Sequence, residues 1–382
     1  MSEYQYYEFQ AIDRPLTERE MAELRAVSTR ARISSTHFVN EYSWGSFKGD
    51  EDAWMDRYFD GFLYLANWGT HVLKLRLPSH LLDLATAQTY CGEDGLSVRR
   101  NGDKLILTFA TETEDGENWI EGEGRISALM PIRGELARGD LRALYLGWLL
   151  CVQNENLDEN AREPPVPPGL GQMSTALEAL VEFLSLDTDL IAVASQASAP
   201  ALEATADREE VRSWIAGLPS GEKDALLVRL VVDDDRSLAA ELLQRLRRDR
   251  TSAGTEPTTP PRRRTVAELL QATAASAEQR RQTAATKRAA QQAQREQEAA
   301  AARIAHLDRI TGSEPALWTQ VDNLIAIRQP NSYDEAVALL TDLRDLARRD
   351  GREAAFETRL AALRGAHGRK VTFIERLKKA GL

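Results

Sequence analysis

The residue types that most often carry catalysis or metal binding are few and scattered in this chain. Its two cysteines, Cys91 and Cys151, are 60 positions apart, and its five histidines (His37, His71, His80, His306, His367) form no i, i+4 pair. A zinc module built on three or four thiolates is therefore excluded. Cys151 sits between Leu150 and Val152 and reads as a small buried hydrophobe. Cys91 falls in a polar turn, with no base beside it to activate the thiol. No Gly-x-Ser-x-Gly elbow, Walker-type Gly-x-x-x-x-Gly-Lys or Gly-x-Gly-x-x-Gly fingerprint is present, and Gly169 to Gly171 is only a proline-preceded turn. Glu112, Glu114, Asp115, Glu117, Glu121 and Glu123 crowd one loop without the ligand spacing of an EF-hand, so they read as a solvated acidic face. Asp233, Asp234 and Asp235 read as helix-start charge. No catalytic residue, metal ligand or cofactor is assigned. The chain points away from an enzyme, although a site assembled from distant residues of the front half leaves no motif and stays open.

One constellation does suggest chemistry. Between residues 245 and 295 stand twelve basic side chains against four acids, a local charge of +8. Arg247, Arg248, Arg262, Arg263, Arg264, Arg280 and Arg281 are the candidate nucleic-acid contacts. Guanidinium groups meet phosphates by a salt-dependent, sequence-blind attraction, which the triple change of Arg262, Arg263 and Arg264 to Ala should abolish. Aromatic groups for stacking bases are missing there. The competing reading is a solvated linker and helix that docks on the acidic front half of the same chain.

The distribution of charge separates the elements that must carry these residues. The formal charge is −11 over 382 residues, but residues 1 to 200 hold −15 and the remainder +4. Fourteen of the 25 Phe, Trp and Tyr residues lie in the first 70 positions, where a large core is expected. No apolar run approaches 18 residues and the first residues are acidic, so no membrane span or secretory signal is expected and the location expected is cytoplasmic.

The front, 1 to 198, reads as an α+β domain. Residues 4 to 12 and 36 to 44 have strand composition, and Thr17 with Glu20 forms a capping box for a helix to about Arg30. In the run His71 to Leu77, the alternation of Val72, Lys74 and Arg76 against leucines predicts one wet face. Asn101-Gly102 between two apolar runs predicts a tight hairpin. Asp140 reads as the N-cap of a very apolar helix, followed by an extended Pro-rich connection over 154 to 171. All-α helical modules follow. These are a small helical module over 206 to 250, a linker over 251 to 264, a long Ala/Arg-rich helix or weak coiled coil over 265 to 310, and a compact helical unit over 314 to 382.

Leu218-Pro219-Ser220-Gly221-Glu222-Lys223-Asp224-Ala225-Leu226-Leu227, then Ala240-Glu241-Leu242-Leu243, resemble the rear portion of bacterial SWIM zinc-finger proteins. So do Leu324-Ile325-Ala326, Tyr333 to Val337, Leu340 to Leu346 and Lys370 to Leu382. The Cys-x-Cys and Cys-x-His module that names those proteins is absent, so no metal ligand carries over. The front, Tyr6 to Ala11, Tyr58-Phe59 and Leu63 to Gly69, resembles a family of bacterial proteins with no assigned activity. The resemblance implies shared helical interaction modules and companionship with SWIM proteins in an assembly. The expectation is a non-enzymatic adaptor or scaffold that binds other proteins and has scope to self-associate; the alternative is nucleic-acid association through 245 to 295.

Overall fold

A computed structural model describes residues 3–112, 122–200, 208–232, 237–253 and 263–382. The acidic loop residues Glu114, Asp115, Glu117 and Glu121, the run Asp233 to Asp235, and Arg262 lie outside the described residues. The chain divides into two compact units, Met1–Gln279 and Arg280–Leu382. As expected, an α+β front with an antiparallel sheet precedes a helical rear that contains one long helix.

The first unit is built on seven strands: β1 (Gln5–Gln10), β2 (Arg32–Ile33), β3 (His37–Tyr42), β4 (Gly61–Ala66), β5 (Thr70–Pro78), β6 (Leu96–Asn101) and β7 (Lys104–Glu112). They form one antiparallel sheet in the order β2-β3-β1-β4-β5-β7-β6. Strand side chains alternate between faces, and here both faces are covered. Phe9, Phe38, Phe62 and Ile106 point to one side, where α1 (Glu18–Val27) and α2 (Glu51–Arg57) add Leu24, Trp54 and Met55. Phe9 lies 4.4 Å from Phe62 and 5.2 Å from Trp54, centroid to centroid. Such aromatic pairs contribute about 0.5–1.5 kcal/mol each beyond the area they bury.

The opposite face is leucine-rich. Leu63, Leu65, Leu73, Leu75, Leu105 and Leu107 meet a layer made by α3 (Leu84–Gln88), α4 (Arg125–Leu129), α5 (Pro131–Ala137), α6 (Arg142–Gln153), α7 (Thr175–Phe183) and α8 (Thr188–Ser195). Every residue of α6 from Ala143 to Val152 is buried. The helix crosses β6 so closely that a Cβ on Gly147 would sit 2.8 Å from that of Leu96. Asp140 does not cap α6. It stands two residues ahead, Leu141 is the N-cap, and the Asp140 carboxylate accepts from the Arg142 N–H at 3.1 Å.

Local signals behave as their chemistry dictates. Thr17 and Glu20 form the reciprocal capping box of α1. Gly102 takes φ +59 in the β6–β7 hairpin, a turn with its positive φ at the first central position, which an L side chain resists. The alternation in β5 is correct, but its second face is dry: Lys74 and Arg76 are buried because α2 covers that face and supplies carboxylates.

Beyond the sheet domain, α9 (Arg208–Gly217), α10 (Ser220–Val231) and α11 (Leu238–Ala253) complete the described helices of the first unit, together with the start of α12 (Val266–Ile310). In the second unit α13 (Glu314–Ile327), α14 (Pro330–Arg349), α15 (Glu353–His367) and α16 (Val371–Lys379) enclose Trp318, Val321, Leu340, Phe356, Leu360 and Phe373. Among the described residues no helix is long and apolar enough to cross a membrane.

Candidate functional site

Among the described side chains of the basic segment, Arg264 is the most constrained. Its Nε and Nη2 donate to the two oxygens of Glu163 at 2.8 and 2.7 Å, and Nη1 donates to the Val193 carbonyl at 3.0 Å. Glu163 is buried, and the hydroxyl of the fully buried Tyr145 also donates to it. A bidentate guanidinium–carboxylate contact of this kind is among the stronger polar interactions. Burial, then the Glu163 charge, push the Tyr145 phenol far up, while hydrogen bonding to Glu163 raises Arg264. The backbone joins in. Glu163 N–H donates to the Arg264 carbonyl, Val266 N–H to Ala161, and Ala267 N–H to Glu159. Thr265 with Glu268 caps the helix, and Val266 and Leu269 enter the leucine-rich core. The start of α12 is thus stitched to the sheet domain, and Arg264 has an internal partner.

The other candidates fall into different surroundings. The Arg247 guanidinium donates to the Arg138 carbonyl, and neighbouring Gln244 donates to the carbonyls of Leu81 and Ala137 at 2.7 Å each, while Leu238 and Leu246 of α11 are buried. Arg248 lies on α11, and its side chain is outside what is described. Arg263 is exposed, and its carbonyl accepts from Arg162. Arg280 and Arg281 stand on α12 in a stretch, 278 to 302, where every residue is exposed. Among the described candidates, Arg247 and Arg264 thus make contacts within the first unit, while Arg263, Arg280 and Arg281 are exposed.

A second constellation carries no sequence motif. Asp60, 1% exposed, accepts from Arg76 Nη2 at 2.8 Å and from the backbone N–H groups of Ile12 and Asp13 at 2.7 and 2.9 Å. Arg76 also donates to the carbonyls of Met55 and Asp56. Arg133 donates to the Arg76 carbonyl and, through Nη2, to both oxygens of Asp13 at 2.7 Å. Burial alone would raise the Asp60 carboxyl, but Arg76, Arg133 and the two amides outweigh it and hold it below the ordinary range. The signal in the sequence was the pair of cations in an otherwise apolar strand run, which need buried acids if both faces are covered.

Asp13, Lys104, Arg133 and His80 border a cleft of about 690 Å³ floored by Leu77 and Leu243. Of its charges, Asp13 is bound by Arg133 at 2.7 Å and lies 3.8 Å from Lys104. His80 Nε2 lies 3.2 Å from Ser237 Oγ, a contact that resembles a nucleophile and its base. The Glu241 carboxylate, at 3.9 Å, approaches that same Nε2. In a Ser-His-acid relay the acid holds Nδ1 and so fixes the tautomer, which this arrangement does not do. Cys91 is half-buried and its thiol is pushed up to about 11 by burial and by nearby Cys151, while burial also raises the enclosed Cys151. Neither thiol is set up as a thiolate nucleophile. Among the described residues no three His, Cys, Asp or Glu side chains are grouped to hold a metal ion. Compared with known proteins, the chain matches no family model, no curated protein and no solved structure.

Proposed function

We propose that the protein is a non-enzymatic adaptor or scaffold that works in the cytoplasm by holding other proteins. The observation that supports this reading most is the uncovered apolar face of α10. Leu227, Val228, Leu230, Val231 and Val232 are 53–77% exposed, and none of the described residues of α9 or α10 is buried. The ties around them are polar: Arg229 to Glu241 at 2.7 Å, Arg245 to Glu222, and Trp214 Nε1 to Asp249 at 2.9 Å. A helix that carries its aliphatic side chains outward while the ties to its neighbours are ion pairs is built to be completed by a partner. The resemblance of these helices to the rear of bacterial SWIM zinc-finger proteins makes those proteins the first partners to test.

The test is co-purification of the full chain from its native host, with mass spectrometry and light scattering, beside the Leu227→Asp/Val231→Asp variant. A defined protein partner lost specifically in the variant is expected. A strictly monomeric chain with no partner, or a partner retained unchanged by the variant, would overturn the reading.

A further inference from the structure

We propose that the exposed middle of α12 binds the phosphate backbone of duplex nucleic acid, recognising charge rather than base sequence. This stands apart from the adaptor reading and uses different residues. From 279 to 295 there are five cations, Arg280, Arg281, Lys287, Arg288 and Arg295, and no acid. Three acids bracket the stretch, Glu278 before it and Glu296 and Glu298 after it, and the latter two accept from Gln292 and Gln294 at 2.7 and 2.8 Å. The side chains of Arg281, Lys287, Arg288 and Arg295 have no ion-pair or hydrogen-bond partner among the described residues. Elsewhere in the same unit Arg303, Arg349 and Arg352 are all paired with carboxylates.

Helical geometry turns this composition into a surface. Arg281, Arg288 and Arg295 recur at seven-residue intervals, so they drift only about 20° per step and form one row with rungs about 10.5 Å apart. Lys287 adds a cation about 100° around the helix from Arg288. The row lies on a helix narrow enough to enter a major groove, where phosphates flank it on both sides.

The chemistry of the stretch selects this occupant. Between 271 and 303 no apolar side chain is larger than Ala, so the helix has nothing to insert into an acidic membrane and no anchor for a protein pocket. No Phe, Tyr or Trp occurs from 265 to 317, so single-stranded bases have no stacking platform along the basic row. What remains is fixed positive charge along one row of a continuous helix, matched to a duplex.

Full-length protein is titrated by fluorescence anisotropy against a labelled 20-base-pair DNA duplex, the RNA duplex of the same sequence, the single strand, and vesicles carrying phosphatidylserine. The comparison variant is Arg281→Ala/Arg288→Ala/Arg295→Ala, whose helix content is checked by circular dichroism because Ala keeps the helix. Binding to the DNA duplex is expected with a log–log salt slope of roughly −4, a loss of about 250-fold from 50 to 200 mM salt. The variant should flatten that slope by about 2.7. A preference for one duplex tells DNA from RNA. No duplex binding at 50 mM salt, an unchanged slope in the variant, or equal binding to the single strand or the vesicles would overturn the proposal.

Discussion

Arg264 and Arg281 stand seventeen positions apart in one basic segment, yet the fold uses them in opposite ways. Arg264 is locked on a buried carboxylate, with a buried phenol behind it and a backbone bridge from the next residue, Thr265, to Arg162. Arg281 projects from a helix whose every neighbour is exposed. The same contrast separates Arg76 and Arg133, held around Asp60, from Arg288 and Arg295. A net charge cannot tell a cation that fastens the chain to itself from one that faces water. Burial and the distance to a carboxylate can, and the difference should show in stability experiments.

The largest effect is expected at Asp60. Asp60→Asn leaves Arg76 without its anion in a covered site, and breaking a buried pair costs about 3–5 kcal/mol. Chemical denaturation of the two proteins at neutral pH measures it, and a difference under 1 kcal/mol would place the network among the weak surface pairs. The same residue sets a pH dependence. Its folded-state pKa is lowered, so the native state binds fewer protons than the unfolded chain across the carboxylate range. Its stabilisation is complete above the ordinary aspartate pKa and is lost as pH falls through that range toward the lowered value. Wild type should therefore lose stability on acidification more steeply than Asp60→Asn, a comparison made by denaturant titrations at stepped pH.

Next comes the clamp on α12. Glu163→Gln removes the charge that Arg264 and Tyr145 share, and hydrogen bonds to charged groups are worth about 1.5–3 kcal/mol. Besides lowering Tm, the change should open the start of α12 to limited proteolysis near residues 263–270. Unchanged protection there would mean that Val266 and Leu269 hold the helix alone. Tyr145→Phe is milder, about 1 kcal/mol, because Arg264 still satisfies both carboxylate oxygens.

How legible all this was in the sequence depended on the range of the interaction. The Thr17–Glu20 box, the Gly102 turn and the apolar α6 are written within a few residues, because capping, positive φ and helical periodicity are local. The long helix was also plain from its Ala, Gln, Glu and Arg content. Which arginines would be spent internally was not. Glu163 lies 101 positions from Arg264, and Asp13 lies 120 from Arg133, and no periodicity links residues that far apart. The wet face expected of β5 failed for the same reason. Alternation shows that Lys74 and Arg76 share a side, while the carboxylates of Glu51, Asp52 and Asp60 that make it a dry one come from elsewhere. The docking of basic residues on the acidic front half was anticipated in kind, and Arg264 is where the fold realises it.

The smallest effect closes the comparison. Arg281→Ala/Arg288→Ala/Arg295→Ala removes three cations, as many as any change considered, yet each is exposed with no internal partner to leave stranded. Surface substitutions away from caps, cores and networks usually stay within about 0.5 kcal/mol each, and Ala is the strongest helix former. The variant should therefore match wild type in Tm and in helicity at 222 nm, or gain slightly as repulsion between like charges is relieved. A clear loss of Tm would mean that these side chains hold the folded chain together as Arg264 does, and the division between fastening and free arginines would fail. Stability unaffected by three lost charges, beside a folded state that yields to the loss of one carboxylate at Asp60, would instead establish that partner geometry, not charge count, decides what an arginine does here.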